Sequence, residues 1–372
     1  MISLNNFKQD LFLLSLFLYP LVFLNHILYL IPQFSLLIIM LLERKHDKNL
    51  FLILMFLFLS CFIAFFVEIN STIMLYDMIS KMFINLISIV VVAYNCMIIN
   101  ERSRKIIIYM VFLWLVMVLY AYKSSGFDNL SSLYSLLRMG DLNSSDLYNA
   151  AEPISLFFLT KNITAMFIVA IFSFFIYLSD TLKKRVSSAE FLLFFVTILS
   201  FLSRQAILAY FVILSIYMFR YGGKYTKFIF ITLSFSTALW FFSNFINLNN
   251  SNDGASERLY LWKYFFSTVD QYFFLGLGFN GLNQFVQKIS EVGNFHMFFM
   301  NQIGLYGFFH FIFFNLFLYL IYKSNKNSSR IYLLVAYFLN VLFQTYGYEY
   351  GNLFLFMILM MVVKPSRKIS TI

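Results

Sequence analysis

A chain of 372 residues that is 61% hydrophobic and only 12% charged is not a soluble domain, since soluble domains carry about a quarter charged residues. Its formal net charge of +10 would point to nucleic acid in a soluble protein, but here the basic residues punctuate apolar runs of lipid length, which argues against that partner. The two cysteines, Cys61 and Cys96, each sit inside an apolar run and read as small buried hydrophobes rather than a disulfide or metal pair.

In chain order, the apolar stretch from Leu11 to Leu42 is broken by Pro20, Asn25 and Pro32, where a hairpin would turn, and predicts two crossings. Its first part reads as a retained anchor, not a cleaved signal. Further crossings are expected at about 50–67, 80–99, 106–122, 162–178, 188–202, 205–220, 228–246, 298–322, 331–346 and 350–363. About 20 apolar residues span the lipid core, and helices alone satisfy an open backbone there. The fold class is therefore all-α: one polytopic transmembrane domain over residues 1–372 with about 12 helices, or 11 if the N-terminal stretch crosses once.

Six basic clusters fix the sidedness: Arg44–Lys45–Lys48, Arg102–Arg104–Lys105, Lys183–Lys184–Arg185, Arg220–Lys224–Lys227, Lys323–Lys326–Arg330 and Lys364–Arg367–Lys368. Positive loops stay cytoplasmic, and two crossings fit between each consecutive pair. Both termini are then cytoplasmic. Two long segments are left on the outer side, 123–161 and 247–296. The first is polar, rich in Ser, Asn and Asp. The second opens on Asn249-Asn250-Ser251-Asn252-Asp253-Gly254 and then becomes patterned. Asp253 or Ser256 is the candidate cap of a helix on which Arg258, Trp262 and Phe265/Phe266 recur at helical spacing. After Gly276-Leu277-Gly278, a second amphipathic piece is expected around Leu282–Ile289. Long loops of this kind carry function, so an ordered helical external loop is expected.

External cations are exceptions to the sidedness rule: Lys81, Lys123, Arg138, Lys161, Arg204, Arg258, Lys263 and Lys288. Arg204 is the sharpest, in a tight turn between two hydrophobic helices, where a charge must snorkel, pair or serve a ligand. Arg258 beside Trp262 is next; a stacked surface residue is the alternative. His296 stands where the second loop re-enters the membrane, a place suited to a general base or acid and equally to an interfacial aromatic. The chain holds no GxxxxGK[ST], CxxC or HExxH, and no external Asp-x-Asp or Glu-x-Glu pair after the first crossing. Midplane acids of the kind that ion-coupled transport uses are almost absent.

These residues resemble the O-antigen polymerase and O-antigen ligase superfamily, the Wzy-type polysaccharide repeat-unit polymerases and related transferases. Ser203-Arg204-Gln205-Ala206 is similar to its Ser-Arg-x-Ala turn, and Arg258-Leu259-Tyr260-Leu261-Trp262 to its Arg-x-x-x-Trp helix. Phe274-Leu275-Gly276-Leu277-Gly278 stands in place of Pro-x-x-Gly-x-Gly, and Gly304-Leu305-Tyr306-Gly307 resembles its Gly-x-x-Gly. The family's His-Asn pair precedes that last motif by about three turns. Here His296 is followed by Met297 and lies about a turn too close to Gly304, so spacing puts Gly293-Asn294 at that position. Either the helix begins later in this chain, or His296 is not the family's histidine.

The resemblance implies a metal-independent, inverting glycosyltransferase of the bacterial inner membrane with no cofactor. It would join lipid-linked oligosaccharide repeat units carried on polyprenyl diphosphate. Arg204, Arg258 and His296 are then the expected catalytic residues. Ser203, Tyr260, Trp262, Lys263 and Asn294 are the expected substrate contacts. Expected partners are membrane lipids, a chain-length regulator and a flippase. The alternatives are a ligase of the same superfamily and a lipid-linked oligosaccharide flippase.

Overall fold

The computed structural model describes residues 4–19, 30–43, 48–69, 98–99, 101–124, 154–156, 160–225, 254–290, 293–323, 328–343 and 364–365, with isolated positions in 83–91 and 227–236. Among them are eleven helices: α1 (Leu4–Leu18), α2 (Leu30–Leu42), α3 (Lys48–Ile69), α4 (Glu101–Ser124), α5 (Lys161–Thr181), α6 (Ser188–Ser200), α7 (Arg204–Tyr221), α8 (Gly254–Thr268), α9 (Gly278–Val286), α10 (Phe298–Lys323) and α11 (Ile331–Phe343). The remainder is turns, short 3-10 pieces and one two-residue parallel pairing of Ile98–Ile99 with Lys364–Pro365. Four helical segments, Phe51–Ile69, Glu101–Ser124, Lys161–Thr181 and Phe298–Leu320, are long and apolar enough to cross a membrane. The expected crossing at 350–363, nearly all of those at 80–99 and 228–246, and most of the 123–161 loop lie outside the described residues.

The N-terminal stretch forms two helices. Pro20 follows the end of α1, and Pro32 sits in the first turn of α2, where its missing N–H costs no helix bond. Lys8 pairs with Glu43, which returns the end of α2 to the level where α1 begins. Helix α6 starts on a capping box: Ser187 Oγ accepts from Glu190 N–H at 3.3 Å, and Glu190 Oε2 accepts from Ser187 N–H at 2.8 Å.

Helix α5 is the axis of the bundle. It is apolar around its whole circumference and buried from Ile163 to Asp180, as a helix without a polar face must be. Aromatic rings fill the space around it. Phe172 lies 4.7 Å from the Tyr210 ring and 5.0 Å from Phe194, and Phe167 lies 5.2 Å from Trp114.

Ion pairs gather at one end. Arg104 pairs with Glu190 at 2.6 Å, Arg220 with Asp180 at 2.9 Å, Lys184 with Glu101 at 3.3 Å and Arg102 with Asp10 at 3.4 Å. These cations belong to the basic clusters, so the clusters from α4, α5 and α7 share one level, as the sidedness argument requires. At the opposite end the contacts are different. Tyr122 O–H donates to Ser200 O. Glu68, on the last turn of α3, accepts the Phe279 N–H at 2.8 Å. That carboxylate meets the positive end of α9 and ties the second long loop to the far end of α3.

The same loop is also stitched into α10. Gly307 has φ 79° and ψ 179°, which breaks α10 into two pieces. At the break, the ladder is completed by the loop instead of by the helix. Gly304 O accepts from Leu277 N–H at 2.8 Å, and Phe308 N–H donates to Phe273 O at 2.7 Å. The carbonyl of Gly304 and the N–H of Phe308 so find partners in the loop. Close approach demands glycine here: a Cβ on Gly276 would lie 2.4 Å from Leu305 backbone, and one on Gly307 2.2 Å from Phe274 O. Deeper along α10, His310 Nδ1–H donates to Ser60 O of α3 at 2.9 Å.

Candidate functional site

Helix α8 and the turn at 293–296 build one half of the site. Leu261 and Phe265 point into a satellite core with Tyr272, Leu282, Val286, Phe295 and Met300. Arg258 and Trp262, four residues apart, share the neighbouring flank of α8. The indole Nε1–H of Trp262 donates to Phe295 O at 3.2 Å, and the Phe265 ring meets Phe295 edge-on at 5.1 Å. Both contacts press the turn against α8.

The turn itself is fixed by two asparagines. Asn301 Oδ1 accepts from Phe295 N–H at 3.0 Å, and Asn294 Oδ1 accepts from His296 N–H at 3.0 Å. His296 is thereby held in the left-handed region at φ 52°, where histidine is tolerated better than most residues. Burial first, and then the Arg258 charge, hold the His296 imidazole down at about 4. Arg258 therefore acts on the same space that His296 occupies. The Arg258 guanidinium also lies 5.7 Å from the centre of the Phe343 ring, at the end of α11.

The other half surrounds the start of α7. Leu202 takes φ 50°, and Ser203 is extended (φ −97°, ψ 109°), so that Arg204 becomes the first residue of the helix. Arg204 lies close enough to Lys161, the first residue of α5, for the two charges to act on each other.

Both halves stand at one end of the bundle. Helices α7 and α11 run antiparallel, with Tyr217 and Tyr332 rings 6.4 Å apart near the ion-pair end. At about 1.5 Å per residue, Arg204 lies about 20 Å from that level and Phe343 about 17 Å. Arg204 and the ring beneath Arg258 are thus at nearly the same height.

The structure brings Arg258, His296, Trp262 and Asn294 together, and sets Arg204 with Ser203 at the same level. It does not bring in Tyr260 and Lys263. Both are exposed, because two and five residues from Arg258 correspond to turns of about 200° and 140° around the helix. Asn294 holds its own turn through His296 N–H, and Trp262 anchors Phe295, so each acts on the site through its neighbour. Lys161 and Phe343 were not legible as members of the site. Phe343 carries no signal in one sequence; Lys161 carried one, as a cation at an external helix start. No protein-family model matches the chain, and no curated protein matches it.

Proposed function

We propose that this protein is a polymerase that joins polyprenyl-diphosphate-linked repeat units into a polysaccharide at the outer face of a bacterial inner membrane. The observation that carries this reading is that α8 holds Arg258 one turn from Trp262, whose indole donates to Phe295 O beside His296 at 3.2 Å, at the end of the bundle away from the ion pairs. A fixed cation and a neutral imidazole there are the two groups glycosyl transfer from a diphosphate needs. The ion-pair end is the cytoplasmic face, both termini are cytoplasmic, and the full chain crosses about 12 times.

The donor is the growing glycan on its lipid diphosphate, and the acceptor is one lipid-linked repeat. An acceptor hydroxyl attacks the anomeric carbon from the face opposite the diphosphate, with inversion. The bond from that carbon to the diphosphate oxygen breaks, and the hydroxyl proton passes to His296. Arg258 and Arg204 take up the charge gathering on the departing diphosphate, which a guanidinium does through paired N–H donors and a charge that pH cannot remove. A chain-length regulator and a flippase are the expected partners.

His296 acts as a base only when neutral. Because its free-enzyme value sits at about 4, kcat/KM should stay level on its acidic side from about pH 7 to about pH 5, and fall as pH approaches 4. A limb at the ordinary histidine value near 6.5 would show that another group is titrating.

The decisive assay gives purified protein in lipid nanodiscs the lipid-linked repeats extracted from cells lacking it, without nucleotide or ion gradient. A ladder of longer lipid-linked glycans is expected. Repeats left at unit length by active preparations would overturn the reading.

A further inference from the structure

We propose that the cavity between the starts of α4 and α6 binds the headgroup of a phospholipid that carries both a phosphate and a primary ammonium, as phosphatidylethanolamine does. The cavity measures about 310 Å³ and is lined by Glu101, Arg104, Lys105, Ile108, Tyr109 and Glu190, the size of a small ligand site. Two of these groups form its wall. Arg104 is held by Glu190 at 2.6 Å, by Arg185 O at 3.4 Å and by the Phe175 ring at 4.9 Å. Glu190 in turn accepts the Ser187 N–H at 2.8 Å. Their charges satisfy each other and fix the shape of the site.

The other two charges are less committed. Lys105 is exposed and pairs with no acid among the described residues. Glu101 gives Oε1 to Lys184 at 3.3 Å, an exposed pair, and its second oxygen has no partner among the described residues. Four residues apart on α4, the two share one face and stand about 6 Å apart along the axis. A two-carbon link between ammonium and phosphate can bridge that spacing, with phosphate at Lys105 and ammonium at Glu101. The balance of the lining selects the headgroup. Two carboxylates and two cations cancel, so an anionic headgroup gains little, while a zwitterion finds an opposite charge at each end. An ammonium with hydrogens donates to a carboxylate. A quaternary ammonium asks for a cage of aromatic faces, and this lining holds one ring, Tyr109.

The position suits a lipid. Beyond the cavity, Tyr109, Phe112, Leu113 and Val116 of α4 are exposed, as are Leu192 and Val196 of α6. The two helices run parallel, since they meet again where Tyr122 O–H donates to Ser200 O. Acyl chains of a lipid seated in the cavity therefore have apolar side chains of both helices to lie along. The site requires only that the ion-pair end stands at a headgroup layer; neither the choice of leaflet nor the polymerase reading enters.

The test uses the full-length protein in detergent. Its probes are phosphatidylethanolamine, phosphatidylcholine and phosphatidylglycerol with identical chains, and chain-free glycerophosphoethanolamine. Native mass spectrometry and thermal unfolding read binding for the wild type, K105M, K105R, E101Q and, at the opposite end of the bundle, K288M. The wild type should bind phosphatidylethanolamine about two- to fivefold more tightly than phosphatidylcholine, the worth of one exposed ion pair, and phosphatidylglycerol no more tightly than phosphatidylcholine. E101Q should bring phosphatidylethanolamine level with phosphatidylcholine. K105M should weaken all three lipids by about the same two- to fivefold factor, because each presents a phosphate. K105R and K288M should bind as the wild type does. Equal binding of the ethanolamine and choline lipids by the wild type, or a preference for phosphatidylglycerol, overturns the site. So does unchanged selectivity in E101Q or unchanged affinity in K105M. Glycerophosphoethanolamine bound as tightly as the lipid would assign the cavity to a soluble headgroup and overturn the lipid as its occupant.

Discussion

Arg258→Ala is expected to abolish long-chain glycan and leave single lipid-linked repeats, with the amount of membrane-inserted protein unchanged. A positioned donor to charge that develops in the transition state is worth on the order of 100- to 1000-fold in rate. Loss of a guanidinium that serves two diphosphate oxygens belongs at the upper end of that range. The approach of Arg258 to Phe343 is worth about 0.5–1 kcal/mol, so its loss alone should leave the fold intact. Arg258→Lys should restore only part of the rate, since an ammonium keeps the charge but not the fork. Arg204→Ala should behave alike. Chain length by gel and protein level by immunoblot check both variants together, and wild-type chains in both would remove the function proposed here.

Gly307→Ala has the second large effect, and it acts on assembly. Position 307 adopts φ 79° with ψ 179°, a region essentially closed to residues with a side chain, at a cost of about 1–3 kcal/mol. The added carbon would also stand 2.2 Å from Phe274 O, a contact that only displacement of the loop backbone relieves. The two bonds that join 273–277 to 304–308 are then lost together. The variant should melt well below the wild type and become sensitive to trypsin at the exposed Lys263 and Lys288. Gly281→Ala is the control: its added carbon would meet only Leu277 Cβ, at 3.2 Å, inside a helix where alanine is preferred. A Gly307→Ala protein with the melting temperature and protease resistance of the wild type would show that the joint is dispensable.

Hydropathy made the long helices legible, because lipid length and apolar content are local properties; α3, α4, α5 and α10 lie where the apolar runs put them. The break expected in the N-terminal stretch agrees with α1 ending at Leu18, ahead of Pro20, while Pro32 lies inside the first turn of α2. Helix α8 was legible from the spacing of Arg258, Trp262 and Phe265. Of its two candidate caps, Ser256 lies inside the helix, which begins at Gly254, and Asp253 immediately precedes it in the sequence but lies outside the described residues. Helix α9 begins at Gly278, ahead of the expected Leu282, because its first turn is received by Glu68, 211 residues earlier in the chain. No window on the sequence contains that pairing. The glycine motifs matched a pattern whose reason was hidden until Gly276, Gly304 and Gly307 were seen to let two backbones exchange hydrogen bonds. For the site, Tyr260 and Lys263 lie on other faces of α8 than Arg258 and are exposed, because closeness in sequence is not closeness around a helix. The bond from His296 N–H to Asn294 Oδ1, two residues back in the chain, is not revealed by spacing alone.

The bond from His310 to Ser60 has a mechanical meaning. It lies where neither water nor lipid offers an alternative partner, so α10 cannot spin or slide along α3 without breaking the imidazole's bond to Ser60 O. One residue of slippage would swing the imidazole by about 100° and end the contact. The compass bearing at which the chain enters α10, and so the direction His296 faces, is keyed by a pin set about 20 Å below it.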